Sequence, residues 1–326
     1  MAETTYIQAI TDAMREEMLR DPGVFILGED IGVYGGAFKV TRGLIDEFGE
    51  ERIMDTPISE SAIIGVAVGA ALVGMRPIAE IQFADFITVA FSQIVTNAAT
   101  MHYRYGTPVP LVVRAPSGGG IHGGAFHSKN PEAWFVHQPG LKVVAPATAR
   151  DAKGLLKAAV RDNNPVIYFE NKYLYRRVKE DLDANEEVVV PLGKAATVRG
   201  GGDVSIITYG SMVHAAQQAA EIVCEQDQIE TEIVDLRSLQ PLDVEAILAT
   251  VQKTSRVVIT HEANLTGGIG GEVAALISEH AFESLDAPIK RVAALDTPTP
   301  YAPAMEEYFM PNAEKIVNAI RQVVRF

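Results

Sequence analysis

Apolar and polar positions follow two alternating periods along the chain. Helical spacing of apolar residues predicts helices over residues 5–21, 59–73 and 152–161. Short apolar runs lie between the helical stretches, and we predict strands in VFILGED, PIAEIQF, VPLVVRAP, LKVVAPA and PVIYFENK. This alternation predicts an α/β fold, with a mostly parallel sheet between layers of helices.

The alternation stops at a charged stretch without a consistent period and then restarts. The charged stretch covers residues 176–192, so we predict two domains, 1–186 and 187–326. In the second domain, strands are predicted in DVSIITYGS, TEIVDLRS, SRVVITHEA and IKRVAAL. Helices are predicted to begin near Ala215, Val244, Gly271 and Ala313. The second domain is therefore expected to be a smaller α/β domain.

Composition narrows the class of protein. The chain has 28 basic and 42 acidic residues, a net charge of -14, which argues against a nucleic acid or an anionic membrane as partner. Cys224 is the only cysteine, so an intrachain disulfide is impossible. The N-terminus lacks the pattern of a secretory signal, and the longest apolar stretch, Ala62 to Val73, is too short to span a bilayer. We expect a soluble cytoplasmic protein.

A glycine pattern resembles a dinucleotide-binding motif but lacks its context. Gly118, Gly120 and Gly123 fit G-x-G-x-x-G after a predicted strand, but no acidic residue ends a strand about 20 residues later. We interpret these glycines as a loop whose backbone passes close to another group. His122 and His127 lie in this loop without an obvious third metal ligand, so the sequence does not predict a metal site there.

Four segments place polar or aromatic residues after predicted strands, at the sheet edge where ligands bind in parallel α/β folds. They contribute Glu29, Glu60, the run from Gln82 to Phe86, and His127. Each alone has a structural explanation, since a glutamate can cap a helix and a phenylalanine can belong to the core. Together they suggest a site with an acid, a histidine and an aromatic wall.

These segments also carry a family resemblance. LGEDIGVYGGAFKVTRGL, RIMDTPISESAIIGVAVGAAL, RPIAEIQFADF, HSKNPEAWF and PGLKVVAPATARDAKGLL occur in the order and near the spacing of one family. The chain resembles the β subunits of thiamine-diphosphate-dependent 2-oxo acid dehydrogenases, which include the pyruvate and branched-chain enzymes. The resemblance implies an N-terminal pyrimidine-binding domain and a C-terminal transketolase-like domain.

The resemblance also implies roles for individual residues. Glu60 matches the glutamate that hydrogen-bonds the cofactor's aminopyrimidine ring and promotes its imino tautomer. Glu29, Ile58 and Phe86 match other positions on the pyrimidine side, with Phe86 stacking on the ring. His127 matches the histidine near the reacting carbon, where it can donate a proton or guide the lipoyl arm.

Two metal ions are expected on the same basis. Thiamine enzymes hold the diphosphate through magnesium with a G-D-G motif, but here Gly202 and Asp203 are followed by Val204. The magnesium ligands are therefore expected on an α partner, in an α2β2 heterotetramer. Some relatives bind potassium, largely through main-chain oxygens, at positions matching Leu111, Ala159, Val160, Asp162 and Asn164. Asp162 could instead cap a turn.

The implied reaction is oxidative decarboxylation of a 2-oxo acid, with acyl transfer to the lipoyl group of an acyltransferase component. Acetoin cleavage by the same cofactor is the nearest alternative. A non-catalytic assembly subunit is an alternative of a different class, although Glu60 and His127 argue against it. Carbon transfer of the transketolase type is a further alternative, but it usually needs both halves of the site in one chain.

Overall fold

The computed structural model describes residues 2–183 and 186–326, which form two compact units. The first unit comprises residues 1–117 and 134–192, and the second comprises residues 118–133 and 193–326. The sequence pattern predicted one boundary, after residue 186, whereas the chain passes between the units three times. Ala184 and Asn185, inside the predicted linker, lie outside the described residues.

The first half of the chain alternates strands with helices. Its elements are β1 (Ala2–Thr5), α1 (Tyr6–Arg20), β2 (Val24–Gly28), α2 (Leu44–Phe48), β3 (Ile53–Asp55), α3 (Glu60–Leu72), β4 (Arg76–Glu80), α4 (Ala99–Tyr105), β5 (Val112–Ser117), α5 (Glu132–Val136), β6 (Lys142–Val144), α6 (Ala149–Arg161), β7 (Val166–Asn171) and β8 (Lys179–Leu182). A 3₁₀ helix, Ala84–Ala90, and a π-helix, Gln93–Ala98, lie between β4 and α4.

The first unit is built on parallel strands in the order β6–β7–β5–β4–β2–β3. β2, β5 and β7 are buried along their whole length, which explains their near-continuous apolar sequences. Helices α1 and α6 pack against each other, and α1 contributes Tyr6, Ile10, Met14 and Met18 to the main core. The sheet therefore brings the carboxyl ends of its strands to one edge.

The second unit repeats the α/β pattern on a smaller scale. Its elements are β9 (Ala196–Arg199), β10 (Val204–Thr208), α7 (Met212–Asp227), β11 (Thr231–Asp235), β12 (Ser238–Gln240), α8 (Val244–Thr254), β13 (Val257–Asn264), α9 (Ile269–His280), β14 (Lys290–Ala294), α10 (Pro303–Phe309) and α11 (Ala313–Val324). A five-stranded sheet runs β14–β13–β10–β11–β9, and only the pairing of β9 with β11 is antiparallel.

Structure and sequence agree on the fold class: both units are mostly parallel α/β, and every predicted strand overlaps an observed one. Five short strands (β1, β3, β8, β9 and β12) were not predicted, because three or four residues are too few to establish a period. The short helices α2, α4, α5 and α10 were not predicted either. Among the described residues, no helix is both long and apolar enough to cross a bilayer.

Candidate active site

Two glutamates meet at the carboxyl edge of the first unit's sheet. Glu29 directly follows β2 and Glu80 is the last residue of β4, and these strands pair in parallel with Gly28 opposite Glu80. Both side chains are buried, at 6% and 3% exposure. The strand-end rule that selected Glu29 from the sequence therefore holds, and it applies equally to Glu80, which the sequence analysis did not single out.

Glu29 is joined to the start of helix α3. The backbone N–H of Ser59 donates to the Glu29 carboxylate, and Glu60, the next residue, begins the helix at 8% exposure. Burial raises the pKa of Glu29, and repulsion from Glu60 and Glu80 raises it further. The structure thus brings Glu29 and Glu60 together, and this setting favours the protonated form of Glu29.

A buried ion triad lies beneath these carboxylates. Arg114, on β5, donates through Nη1 to Glu80 at 2.7 Å and through Nη2 to Glu170 on β7. All three side chains are almost fully buried. Burial raises the pKa of Glu170 to about 7, against the lowering effect of Arg114. The sequence did carry a signal for this triad, because a single charged residue within a buried apolar strand needs a partner.

The apolar residues predicted to face the cofactor occupy two different environments. Phe86 lies in the 3₁₀ helix Ala84–Ala90, which packs against α3, and its ring meets that of Phe83 edge-on at 5.8 Å. Phe86 is half-buried, whereas Ile58 is 82% exposed. Both rings are partly exposed and the Ile58 side chain is open, which leaves apolar surface of the kind that a planar heterocycle requires.

His127 belongs to the second unit. It follows a 3₁₀ turn, Gly124–Phe126, in the segment of residues 118–130, which we call the His127 loop. His127 is half-buried, and its neighbour Phe126 is 64% exposed. Just after the loop, Glu132 accepts a hydrogen bond from Tyr209 at 2.6 Å, and burial raises the pKa of Glu132 to about 7.

The predicted potassium ligands are neighbours in the first unit, but four of their main-chain oxygens already accept hydrogen bonds. Arg76 Nη1 donates to the oxygens of Val160 and Asp162, both at 2.9 Å. The oxygen of Leu111 accepts from the N–H of Val166, and that of Ala159 from the N–H of Asp162. Lys142 pairs with the Asp162 carboxylate. These oxygens fit potassium poorly, because Arg76 and Lys142 already supply positive charge.

Asn164, the fifth residue, has its N–H bonded to the Asp162 carboxylate at 2.8 Å, the turn-capping arrangement that the sequence allowed. A potassium ion would have to share oxygens with Arg76, so this site stays a prediction. In residues 2–183 and 186–326, no group of three or more histidine, cysteine, aspartate or glutamate side chains could hold a metal.

Comparison with known proteins gives the family. Residues 2–178 match the model of the transketolase pyrimidine-binding domain, and residues 193–316 match that of the transketolase C-terminal domain. The chain is 54% identical to the 2-oxoisovalerate dehydrogenase subunit beta of Bacillus subtilis, over 100% of both chains. The chain belongs to the β-subunit family of the 2-oxo acid dehydrogenases. This confirms the resemblance inferred from the sequence.

Other members of this β-subunit family are more distant. The pyruvate dehydrogenase E1 component subunit beta of Bacillus subtilis is 45% identical, and that of Staphylococcus aureus is 44% identical, each over 100% of both chains. A solved structure described as a split-gene transketolase, inactive beta4 tetramer, matches with a TM-score of 0.81, 25% identity and 99% coverage of both chains. The β-subunit fold is therefore shared with transketolase along its whole length.

Proposed function

We propose that this chain supplies the pyrimidine half of a thiamine-diphosphate site in a 2-oxo acid dehydrogenase. The observation that carries the proposal is the closeness of Glu29, which accepts from the Ser59 N–H, to Glu60 in a member of the β-subunit family. A Glu29 carboxyl group with a raised pKa, next to Glu60, and open apolar surface at Ile58 and Phe86 suit an aminopyrimidine ring.

Each residue has a defined task in this proposal. Glu60 hydrogen-bonds the ring nitrogen, and Glu29 places a second carboxyl group beside Glu60. Phe86 and Ile58 orient the ring and exclude water. When bound, thiamine diphosphate supplies the carbon nucleophile and takes up the electron pair released by decarboxylation. His127 donates to, or guides, the acyl acceptor.

For the substrate, we propose a branched-chain 2-oxo acid. Support comes from the higher identity to the subunit named for 2-oxoisovalerate, 54%, than to those named for pyruvate, 45% and 44%. The acyl group would pass to the lipoyl group of an acyltransferase component. This complex is expected in the cytoplasm.

An α subunit completes the proposed site with the magnesium and diphosphate contacts, in an α2β2 heterotetramer. Support comes from the absent G-D-G motif and from α3. This helix has a face of small residues, Ala62, Gly65 and Gly69; Ala62 and Gly69 are exposed, and a Cβ at Gly69 would meet nothing within 4 Å, whereas one at Gly65 would lie 3.7 Å from Gln93. A neighbouring subunit could approach this face closely at Ala62 and Gly69.

The deciding experiment is a steady-state assay of the chain assembled with its α partner. We expect the highest kcat/KM with 3-methyl-2-oxobutanoate, less with pyruvate and least with acetoin. A higher kcat/KM with pyruvate would change the proposed substrate to pyruvate. A higher kcat/KM with acetoin would refute the assignment as a 2-oxo acid dehydrogenase. Calorimetry should show magnesium-dependent binding of thiamine diphosphate by the assembly. Tight binding by the isolated chain would refute the shared site.

Gly69→Leu tests the assembly separately. Overpacking at a close helix contact costs about 1–3 kcal/mol, so we expect a folded but dissociated protein in analytical ultracentrifugation. Ala275→Leu, at an exposed residue of α9 in the second unit, is the control for an added leucine side chain. An undisturbed tetramer of Gly69→Leu would remove this helix from the interface.

A further inference from the structure

Hydrogen bonds from its own backbone N–H groups hold the His127 loop in place. The N–H groups of Gly120 and His122 donate to Glu306, at 2.9 Å to Oε1 and 3.1 Å to Oε2. The side chain of His122 adds a third contact, since its Nδ1 lies 2.7 Å from Glu306 Oε2. One carboxylate thus binds three polar groups within three residues of the loop.

A second carboxylate holds the ends of the same loop. Glu262, on β13, accepts from the N–H of Gly119 at 2.5 Å and from the Asn130 side chain at 3.2 Å, and Ser211 also donates to it. Glu262 is 5% exposed and Glu306, on α10, is 2% exposed. Because charge-assisted hydrogen bonds strengthen out of water, both contacts should fix the loop firmly.

Backbone geometry shows that the clamped conformation has little freedom. His122 adopts a positive φ of 59°, which non-glycine residues rarely adopt. Gly124 has a φ of +66°, and a Cβ there would come within 2.3 Å of the Tyr301 ring. A Cβ at Gly119 would lie 3.1 Å from Glu306 Oε1. The glycines are needed because the backbone passes directly over these side chains.

We propose that Glu306 is a positioning residue, which fixes the conformation of the loop that presents His127 to the acyl acceptor. The position of Glu306 on α10 supports this role, because the carboxylate reaches residues 120–122, shortly before His127, while Glu262 anchors the flanks. The inference rests on the role proposed above for His127. It adds a residue that acts on acyl transfer without touching the cofactor.

The test compares Glu306→Gln with Glu307→Gln in the full chain assembled with its α partner. Gln keeps the size of the side chain but loses one acceptor oxygen, whereas Glu307 is the adjacent, exposed glutamate. Hydrogen exchange should be about tenfold faster at residues 120–122 in Glu306→Gln, as expected for a lost charge-assisted hydrogen bond. Glu307→Gln should exchange like the wild type.

The functional readout is a ratio of two rates. One is acylation of an isolated lipoyl domain, and the other is decarboxylation with ferricyanide as acceptor. We expect the ratio to fall about tenfold in Glu306→Gln, with the second rate nearly unchanged. Unchanged exchange, or faster exchange with an unchanged ratio, would overturn the proposal. A general loss of both rates would also overturn it, because it would indicate a purely structural role.

Two further variants keep the test decisive. His122→Ala removes one contact to Glu306 and leaves the carboxylate, so it should shift both readouts in the same direction by a smaller factor, even if Glu306→Gln folds poorly. His127→Ala tests the underlying function. If its rate ratio is normal, the role of His127 is refuted, whereas the exchange data still decide whether Glu306 clamps the loop.

Discussion

The buried carboxylates of the two units have different partners. In the first unit, Glu29, Glu60 and Glu80 face one another across one sheet edge, with Arg114 as the cation below. In the second unit, Glu262 and Glu306 face backbone N–H groups of a loop. The first arrangement places carboxyl groups close together and raises the pKa of Glu29, while the second gives each carboxylate several hydrogen-bond donors.

Because of this difference, we expect the first arrangement to act in reaction chemistry and the second to hold a loop in place. Repulsion between buried carboxyl groups favours the protonated form, as the raised pKa of Glu29 shows, and such a group can exchange a proton with a ligand. Backbone N–H groups that donate to a buried carboxylate compensate for its lost hydration, and the carboxylate in turn fixes that backbone. The same residue type, buried to the same extent, is thus expected to affect reaction chemistry in one unit and loop geometry in the other. Four predictions test this contrast.

Glu60→Gln should have the largest effect. The variant keeps the size of the side chain but removes the proton relay to the pyrimidine, and such a loss typically costs ~10²–10⁴ in rate. Steady-state turnover of the assembled enzyme and the rate of thiazolium proton exchange measure it. Glu51→Gln, at an exposed glutamate of the same unit, is the control. Retention of most of the turnover would mean that Glu60 is not the relay.

Arg114→Met should destabilise the first unit by about 3–5 kcal/mol, because it leaves two buried carboxylates without their cation. Urea unfolding measures the change, and Arg325→Met, at an exposed arginine, is the control. The loss should shrink below pH 7, since Glu170 then takes up a proton. A loss of under 1 kcal/mol would show that the triad is not a buried charge cluster.

The pattern of strands and the residues at their ends could be predicted because both depend on local sequence. β2 is an uninterrupted apolar run, β7 begins with the apolar run VIYF, and Glu29 follows β2 directly. Glu262 and Glu306 were missed for a physical reason: several of their partners are backbone N–H groups, which every residue except proline has, and their side-chain partners are distant in the sequence. The sequence therefore carries no pairing signal for them, although the glycines of the loop correctly indicated a close backbone approach.

Glu132→Gln should change the pH dependence of stability. The pKa of Glu132 is raised from 4.5 to about 7, so the unfolded chain loses this proton first as pH rises from about 4.5 to 7, and the folded state loses stability in that window. Gln can still accept from Tyr209. Relative to the wild type, the variant should therefore gain stability as pH rises through the window and keep that gain above pH 7.

Urea unfolding at several pH values between about 5 and 8 measures this difference. Two titratable groups close to the Glu132–Tyr209 pair, Glu262 and His261, stay the same in both proteins. His261, whose pKa burial lowers to about 4, acts in the opposite direction, so only the difference between variant and wild type is informative. A pH-independent difference would show that Glu132 is ionised in the folded protein throughout the range.

Exchange of sodium for potassium should have the smallest effect. Arg76 already donates to the oxygens of Val160 and Asp162, so potassium has to compete with a tethered cation. We expect potassium chloride and sodium chloride at equal concentration to give wild-type unfolding free energies within about 0.5 kcal/mol, as for a weakly bound ion.

In Arg76→Leu the carbonyl oxygens lose this donor, and potassium should become the stabilising ion, by up to about 2.7 kcal/mol at a hundredfold excess over its Kd. Stabilisation of the wild type itself by potassium would show that the ion shares these oxygens with Arg76. Such sharing would mean that main-chain carbonyl oxygens bind two cations at once, which neither of the carboxylate arrangements compared above does.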